Sequence, residues 1–530
     1  SVGAGAIDGL SFATFLLGDT TSFARYVSSS TNAQERQRRW FFYGQDSFRV
    51  TPKLTVNYGL RYELIFPETV NAPGNGAQLD LRSGLINVFG MGNVSGHGIQ
   101  NTNFLNFAPR LGIAYQLNSK TIVRTGYGWS YELGTFGATF GHNVTQNPPV
   151  LFNQTPSTPN GAAFQSVFTL AQGPPAPGTF TVSNTGTFPL PNGVGAKARP
   201  LDVRLPRVEA YNLTVERQLA KDTSLSVGYV GNVGRHVGPG SGDGFNFNVN
   251  QQAFIPGLSN LNLAYPFYSR YGWTQGIDLY CQCLTNYYNS LQVQLKRAYS
   301  NGYAVQLSYT WQDAVSDSAD AYAILYDRPL GRGRENAIAD HALTIAQTFD
   351  IPFGRGRKFG AHINKFIDYS IGGWSLSGVT TFYSGLPFSP NINVYPSGTI
   401  RPYTGDNNRP DIGTGNPYAS DQNRDHWLNV GPGDTLSSAF LVPANNTFGN
   451  YGFNTLRGPI FINQDLSIAK NFRLTERFTT QLRGEAYNLF NHTNLGLPNS
   501  NVDGNNAGAI TAIAFGSTMR RLQFALRLDF

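Results

Sequence analysis

The sequence predicts an all-β protein, a transmembrane antiparallel β-barrel, and three observations carry that expectation. Apolar and polar residues alternate with period two along about 14 segments, as strands do when one face meets an apolar medium. The connections between these segments alternate short and long without a break. Charged residues are only 13% of the 530-residue chain, their place taken by uncharged polar residues, 59 Gly and an aromatic share of 13%.

The same composition excludes other classes. Roughly a quarter of an ordinary soluble chain is charged, and a disordered one lacks aromatics. A helical membrane protein needs runs of about 18 apolar residues, and the chain has none. The net charge of +7 comes from 31 Arg and 8 Lys scattered along the sequence, without the patch or stripe of a nucleic-acid binder. Two Cys exclude a disulfide scaffold and a Cys-rich zinc site. Residue 1 is Ser with no charged-then-apolar leader after it, so the chain reads as processed or as a fragment.

The expected strands centre on residues 22–28, 40–50, 54–65, 107–117, 121–132, 208–219, 223–233, 290–298, 303–312, 341–353, 373–384, 462–472, 478–490 and 519–530. Most are about 9–12 residues long, enough for a tilted strand to cross a bilayer. In the third, Leu54, Val56, Tyr58, Leu60, Tyr62 and Leu64 share one face, and Thr55, Asn57, Gly59, Arg61 and Glu63 the other. In the last, Leu522, Phe524, Leu526, Leu528 and Phe530 alternate with Gln523, Ala525, Arg527 and Asp529.

Short connections fall at Thr51-Pro52-Lys53, Asn118-Ser119-Lys120, Ala220-Lys221-Asp222, 299–302 and Thr475-Glu476-Arg477, with an intermediate one over 354–372. Long ones cover 66–106, 133–207, 234–289, 313–340, 385–461 and 491–518. Outer-membrane barrels place short turns in the periplasm and long loops outside. The expected location is therefore the outer membrane, with extracellular loops, a first strand (22–28) running upward and a periplasmic C-terminus. The apolar face should meet lipid and the charged face the lumen, because Arg or Lys at the lipid midplane costs about 2–4 kcal/mol. A one-residue slip would turn every lumen charge outward. The lumen-facing candidates for substrate or plug contact are Arg61, Glu63, Arg110, Arg124, Glu132, Lys296, Arg483, Glu485 and Arg527. Asp46, Arg217 and Gln347 break the alternation; the first two are expected near strand ends. Trp40, Trp129, Trp311, Trp374 and Phe530 fit membrane interfaces, and Arg36, Arg38 and Arg39 are expected beside lipopolysaccharide headgroups.

Residues 40–63 (WFFYGQDSFRVTPKLTVNYGLRYE), 211–236 (YNLTVERQLAKDTSLSVGYVGNVGRH), 286–311 (NYYNSLQVQLKRAYSNGYAVQLSYTW) and 454–499 resemble the barrel of TonB-dependent outer-membrane receptors, most closely the Oar-like branch, whose members begin with a carboxypeptidase-regulatory-like domain. The resemblance covers nearly the whole chain. It implies a 22-stranded barrel, a lumen plug, a TonB-type energy-coupling partner reached through that plug, and assembly machinery that takes up the C-terminal strand. No plug, TonB box or regulatory domain is present in the 530 residues. The 14 segments match the last 14 of 22 strands, so the first eight are expected before Ser1, with 1–21 as a lead-in and 22–530 as barrel. A regular ladder between 22–28 and 519–530 would instead mark a complete small barrel.

No motif points to catalysis. There is no Gly-x-Ser-x-Gly elbow, Walker loop or dinucleotide fingerprint, and no enzyme activity, cofactor or metal is expected. Cys281-Gln282-Cys283 has no His within 30 residues, leaving a local disulfide or free thiols. Asp313, Asp317, Asp320 and Asp327 lack EF-hand spacing and read as a solvated acidic loop. The seven His are dispersed. Two function classes remain: a TonB-dependent transporter, or a passive 14-stranded channel or surface adhesion protein.

Overall fold

The structure, a computed structural model, describes residues 16–20, 23–132, 142–154, 166–176, 178–202, 204–238, 246–253, 261–317, 328–393, 408–431, 435–444, 447–473 and 477–530. Thirteen long strands form one antiparallel sheet in chain order. They are β1 Arg39–Thr51, β2 Leu54–Ile65, β3 Phe107–Asn118, β4 Thr121–Tyr131, β5 Arg207–Ala220, β6 Thr223–Val237, β7 Leu284–Ser300, β8 Tyr303–Ser316, β9 His341–Asp350, β10 Trp374–Tyr383, β11 Phe461–Arg473, β12 Thr479–Tyr487 and β13 Arg521–Asp529. The two-residue strand Gly333–Arg334 adds to β8 as a fourteenth member. Every long strand pairs only with its neighbours in sequence.

The expected first strand is the one correction to this list. Arg25–Ser28 is a four-residue strand that pairs with Leu151–Gln154, inside a long loop, and has no place in the main sheet. It is too short to cross a bilayer, and ten residues separate it from β1, so no tight hairpin joins them. Without it, the outermost strands β1 and β13 run in the same direction, toward the short-turn end. Among the described residues they do not pair with each other, and the sheet is open. The sequence expectation of an open sheet, with no ladder between 22–28 and 519–530, matches this arrangement.

The register follows the alternation. Tyr58 stands opposite Leu111, Leu111 opposite Tyr127, Tyr127 opposite Tyr211, and the row continues through Gly231, Asn289 and Asp313 at the long-loop end. The other face carries Arg61, Arg110, Arg124, Glu216, Lys296, Asp465, Arg483, Glu485 and Arg527, because each directly opposed pair shares a face. On the apolar face two of the polar residues are hydrogen-bonded. Asp46 is mid-strand, not near an end as expected, and accepts from the Tyr58 hydroxyl at 3.1 Å. Asn289 accepts from Tyr211 and Tyr229 at 3.0 and 2.6 Å. Gln347 stands opposite Gly378, beside Gln464 and Thr380, which bond to each other. Arg217 lies near the short-turn end of β5, where the cost of a charge is smaller.

The short connections turn at 52–53, 119–120, 221–222 and 301–302, the last with Asn301 and Gly302 at positive φ. The intermediate one carries a helix, α1 Lys365–Ile371, capped by the Asn364 side chain accepting from Phe366 N at 2.9 Å. Of the Thr475-Glu476-Arg477 turn, residues 475 and 476 lie outside the described residues.

The long loops are folded. Three of them contribute to one six-stranded sheet, ordered Thr187–Pro189, Leu85–Val88, Ala77–Asp80, Ala196–Ala198, Ile277–Leu279 and Phe247–Asn248. Its core holds Leu79, Ile86, Val88, Phe188, Ile277 and Trp273, the last only 1% exposed. A second core joins the loops after β10 and β12 through Phe388, Ile392, Leu428, Phe440, Leu456 and Val502.

Candidate functional site

Two surfaces could meet a solute: the charged face of the sheet and the folded loops at its long-loop end. On the charged face the candidates form pairs. Arg61 Nε lies 2.7 Å from Glu63, Arg483 Nε 3.1 Å from Glu485, and Arg527 Nε 2.8 Å from Asp529. Arg124 reaches Glu216 on the next strand at 3.6 Å. Three of these pairs are two residues apart, the spacing that puts both side chains on one face of a strand. The Arg-x-acid spacing was visible in the sequence, and it is the signal that the individual assignments passed over. Glu63 is buried, and the Arg61 guanidinium also lies 5.1 Å over the Phe41 ring.

Lys296 and Arg110 have no ion pair among the described residues. Lys296 borders a hollow of about 510 Å³ on the charged face, together with Gln306, Thr348, Asp465 and Glu485. Glu132 lies one residue past β4, where its N–H donates to Pro206 O at 2.8 Å, so the pairing with the β5 side continues through it.

The aromatic candidates sit on the apolar face. Trp40, Trp129 and Trp311 lie toward the long-loop end, and Trp374 opens β10 at the short-turn end. Lys470 lies 4.8 Å over the Trp374 ring and donates to Ser370 O and Gly372 O at 3.0 and 2.7 Å. Phe530 follows β13 and is 82% exposed. Arg36 and Arg38 are exposed on the same alternation as Trp40, whereas Arg39 falls on the other and bonds Gln37 at 2.6 Å.

In the loop layer a hollow of about 370 Å³ is lined by Tyr26, Gln146, Asn153, Lys197 and Asp278 among others. Lys197 and Asp278 are register partners on parallel strands. Burial lowers the Lys197 pKa and raises that of Asp278, each opposed by the other's charge. Lys197 also bonds Gln146 and faces the Tyr280 ring. Asn147 ties this corner together, its Nδ2 donating to Ala77, Asn143 and Lys197 carbonyls. Beside it Arg199 and Glu68 form a buried ion pair at 2.5 Å. Sequence reading missed this layer because its residues come from separate loops with no periodicity.

The remaining motifs resolve simply. Cys281 and Cys283 form a disulfide. Asp313 and Asp317 lie near Arg334 and Arg332, so the acidic loop is ion-paired where it is described; Asp320 and Asp327 lie outside the described residues. No group of three His, Cys, Asp or Glu placed to hold a metal occurs among the described residues.

A long antiparallel sheet with one apolar, girdled face and one charged face defines a membrane barrel protein. The chain belongs to the outer membrane beta barrel domain family, whose model matches residues 2–523, and it is an outer-membrane protein. No curated protein matches the chain. Solved structures similar to it include the ferripyoverdine receptor of the outer membrane of Pseudomonas aeruginosa, at 10% identity over 94% of this chain and 40% of that one, TM-score 0.40. Others are the ferric-catecholate import receptor Fiu from K12 E. coli, at 11% identity, 94% and 45%, TM-score 0.38, and the ferric preacinetobactin receptor BauA from Acinetobacter baumannii, at 10% identity, 94% and 44%, TM-score 0.42. The chain spans less than half the length of these three.

Proposed function

We propose that the chain is the barrel portion of a TonB-dependent outer-membrane transporter, with the long loops extracellular and the C-terminus periplasmic. The observation that carries this reading is the pairing of a charged face along the sheet with folded loop layers at one end only. A charged face of this extent suits contact with a plug or a polar solute, and loops with their own cores suit selective admission. The sequence resemblance to TonB-dependent receptors supports the same reading. Arg61, Glu63, Arg110, Arg124, Lys296, Arg483, Glu485 and Arg527 would contact plug or substrate, and Glu132 and the Lys197 hollow would meet the substrate first.

The test is conductance. The protein purified from its native outer membrane is placed in a planar bilayer. A plugged transporter holds the membrane closed until mild urea loosens the plug, and then conducts. Steady conductance from the outset would overturn the proposal in favour of a passive channel.

A further inference from the structure

Two arginines meet on the apolar face at the long-loop end, and a third, Arg204, borders the hollow beside them. Arg207 opens β5 opposite Arg235 of β6 on one side and Tyr131 of β4 on the other. Glu209 accepts from Arg207 Nη2 and Nε at 2.7 and 3.0 Å and from Arg235 Nε at 3.0 Å. The Arg207 guanidinium also lies 4.3 Å over the Trp129 ring. One carboxylate oxygen thus holds two guanidiniums beside a hollow of about 500 Å³, bordered by 101–106, Tyr131, Asp202, Arg204, Arg207 and His236. Arg204 is exposed and has no ion pair among the described residues. Asp202 accepts from Asn101 at 2.7 Å. The rim is apolar: Leu105 is 77% exposed and Phe104 56%. The Tyr62 hydroxyl donates to Phe104 O at 3.1 Å, which fastens that rim to the apolar face.

Three guanidiniums here outnumber two carboxylates, and the arginine fork matches phosphate oxygens in pairs. Trp and Tyr at strand ends mark headgroup depth, so the cationic hollow lies at the level of lipid phosphates, with Phe104 and Leu105 bordering it on the loop side of Phe107. We propose that this hollow binds the phosphate of an anionic outer-membrane lipid. Arg204 supplies the free fork, Glu209 fixes Arg207 beside it, and Phe104 and Leu105 offer apolar contact to the lipid. The proposal rests on the apolar face being the lipid face.

The test uses protein extracted from outer membranes, delipidated in detergent and titrated with bisphosphorylated lipid A, its dephosphorylated form, phosphatidylglycerol and inorganic phosphate, with bound lipid counted by native mass spectrometry. Arg204→Ala should weaken retention about ten-fold, the scale of one lost charge-assisted bond. Arg357→Ala, at the opposite end of the sheet, should leave it unchanged. Equal retention by wild type and Arg204→Ala overturns the proposal, as does equal binding of the dephosphorylated lipid. Preference for lipid A or for phosphatidylglycerol identifies the source, and either supports phosphate recognition. Inorganic phosphate displacing lipid at equal concentration overturns the lipid requirement. Failure of the lipid-face reading shows separately, as Leu60→Arg assembling as well as Asn57→Arg.

Discussion

Two residues along a strand is the spacing at which an arginine and an acid share a face, and Arg61–Glu63, Arg483–Glu485 and Arg527–Asp529 all use it. The face of each of these residues was legible in the sequence because period two is strict. Their partners were not named, since alternation assigns sides and not contacts. Leu60 and Asn57 test the sides directly. Leu60→Arg places a charge on the apolar face, at about 2–4 kcal/mol near the midplane, and should cut heat-resistant folded protein in outer-membrane fractions. Asn57→Arg should not, and equal folding of the two would reverse the assignment. Outward polar residues were read less well. Asp46 needs the hydroxyl of Tyr58, a contact visible only once β1 and β2 are paired. A second test concerns Glu35 in the loop layer. Burial raises its pKa most, the hydrogen bond from Thr145 opposes, the Glu68 charge adds, and Arg199 opposes. A carboxyl with a raised folded pKa binds its proton more readily folded than unfolded, so stability rises as pH falls through that pKa toward the ordinary value near 4.5. The melting temperature of the loop layer should therefore rise on mild acidification, and Glu35→Gln should flatten that slope.

Among the elements, the strands were legible and the loop layers were not, for a physical reason. A strand such as β2 carries its own evidence, six apolar residues on one face of twelve. The six-stranded loop sheet uses strands of two to four residues drawn from three loops, two of them paired in parallel with Ala196–Ala198. No window of sequence contains that pattern. The same shortness misled the expectation at 22–28, where a local alternation serves a pairing with Leu151–Gln154. Strands this short depend on their common core. Trp273 is 1% exposed and its Nε1 donates to Leu190 O at 2.9 Å. Trp273→Ala should cost the loop layer about 3–5 kcal/mol. Limited proteolysis should then cut within 66–106, 132–206 or 238–283, while β1 to β13 stay protected. Unchanged protection of the loops would mean that this core does not hold the layer.

For the whole molecule, the open sheet is the governing feature. Among the described residues β1 and β13 each leave a row of backbone groups unpaired, and each unsatisfied group in hydrocarbon costs several kcal/mol. The 530-residue chain expressed alone should therefore give no heat-modifiable monomeric band in outer-membrane fractions. A monomeric band that resists heating in detergent would show that the two edges find each other.

The direction of those edges limits what can satisfy them. β1 and β13 both run toward the short-turn end, so they cannot join as antiparallel neighbours, whatever the curvature of the sheet. A second copy does not help: two copies inserted the same way up present edges that all point one way, and none is antiparallel to another. Only an odd number of intervening strands makes an even number of reversals between two edges that run the same way and lets both seams close antiparallel. Thirteen strands need such an odd complement to reach the even totals of bacterial barrels, and the nine by which thirteen falls short of the twenty-two implied by the resemblance is odd. Strand direction thus acts as a selection rule on partners: it rejects self-association along the edges and accepts only a segment that enters and leaves on opposite sides of the membrane.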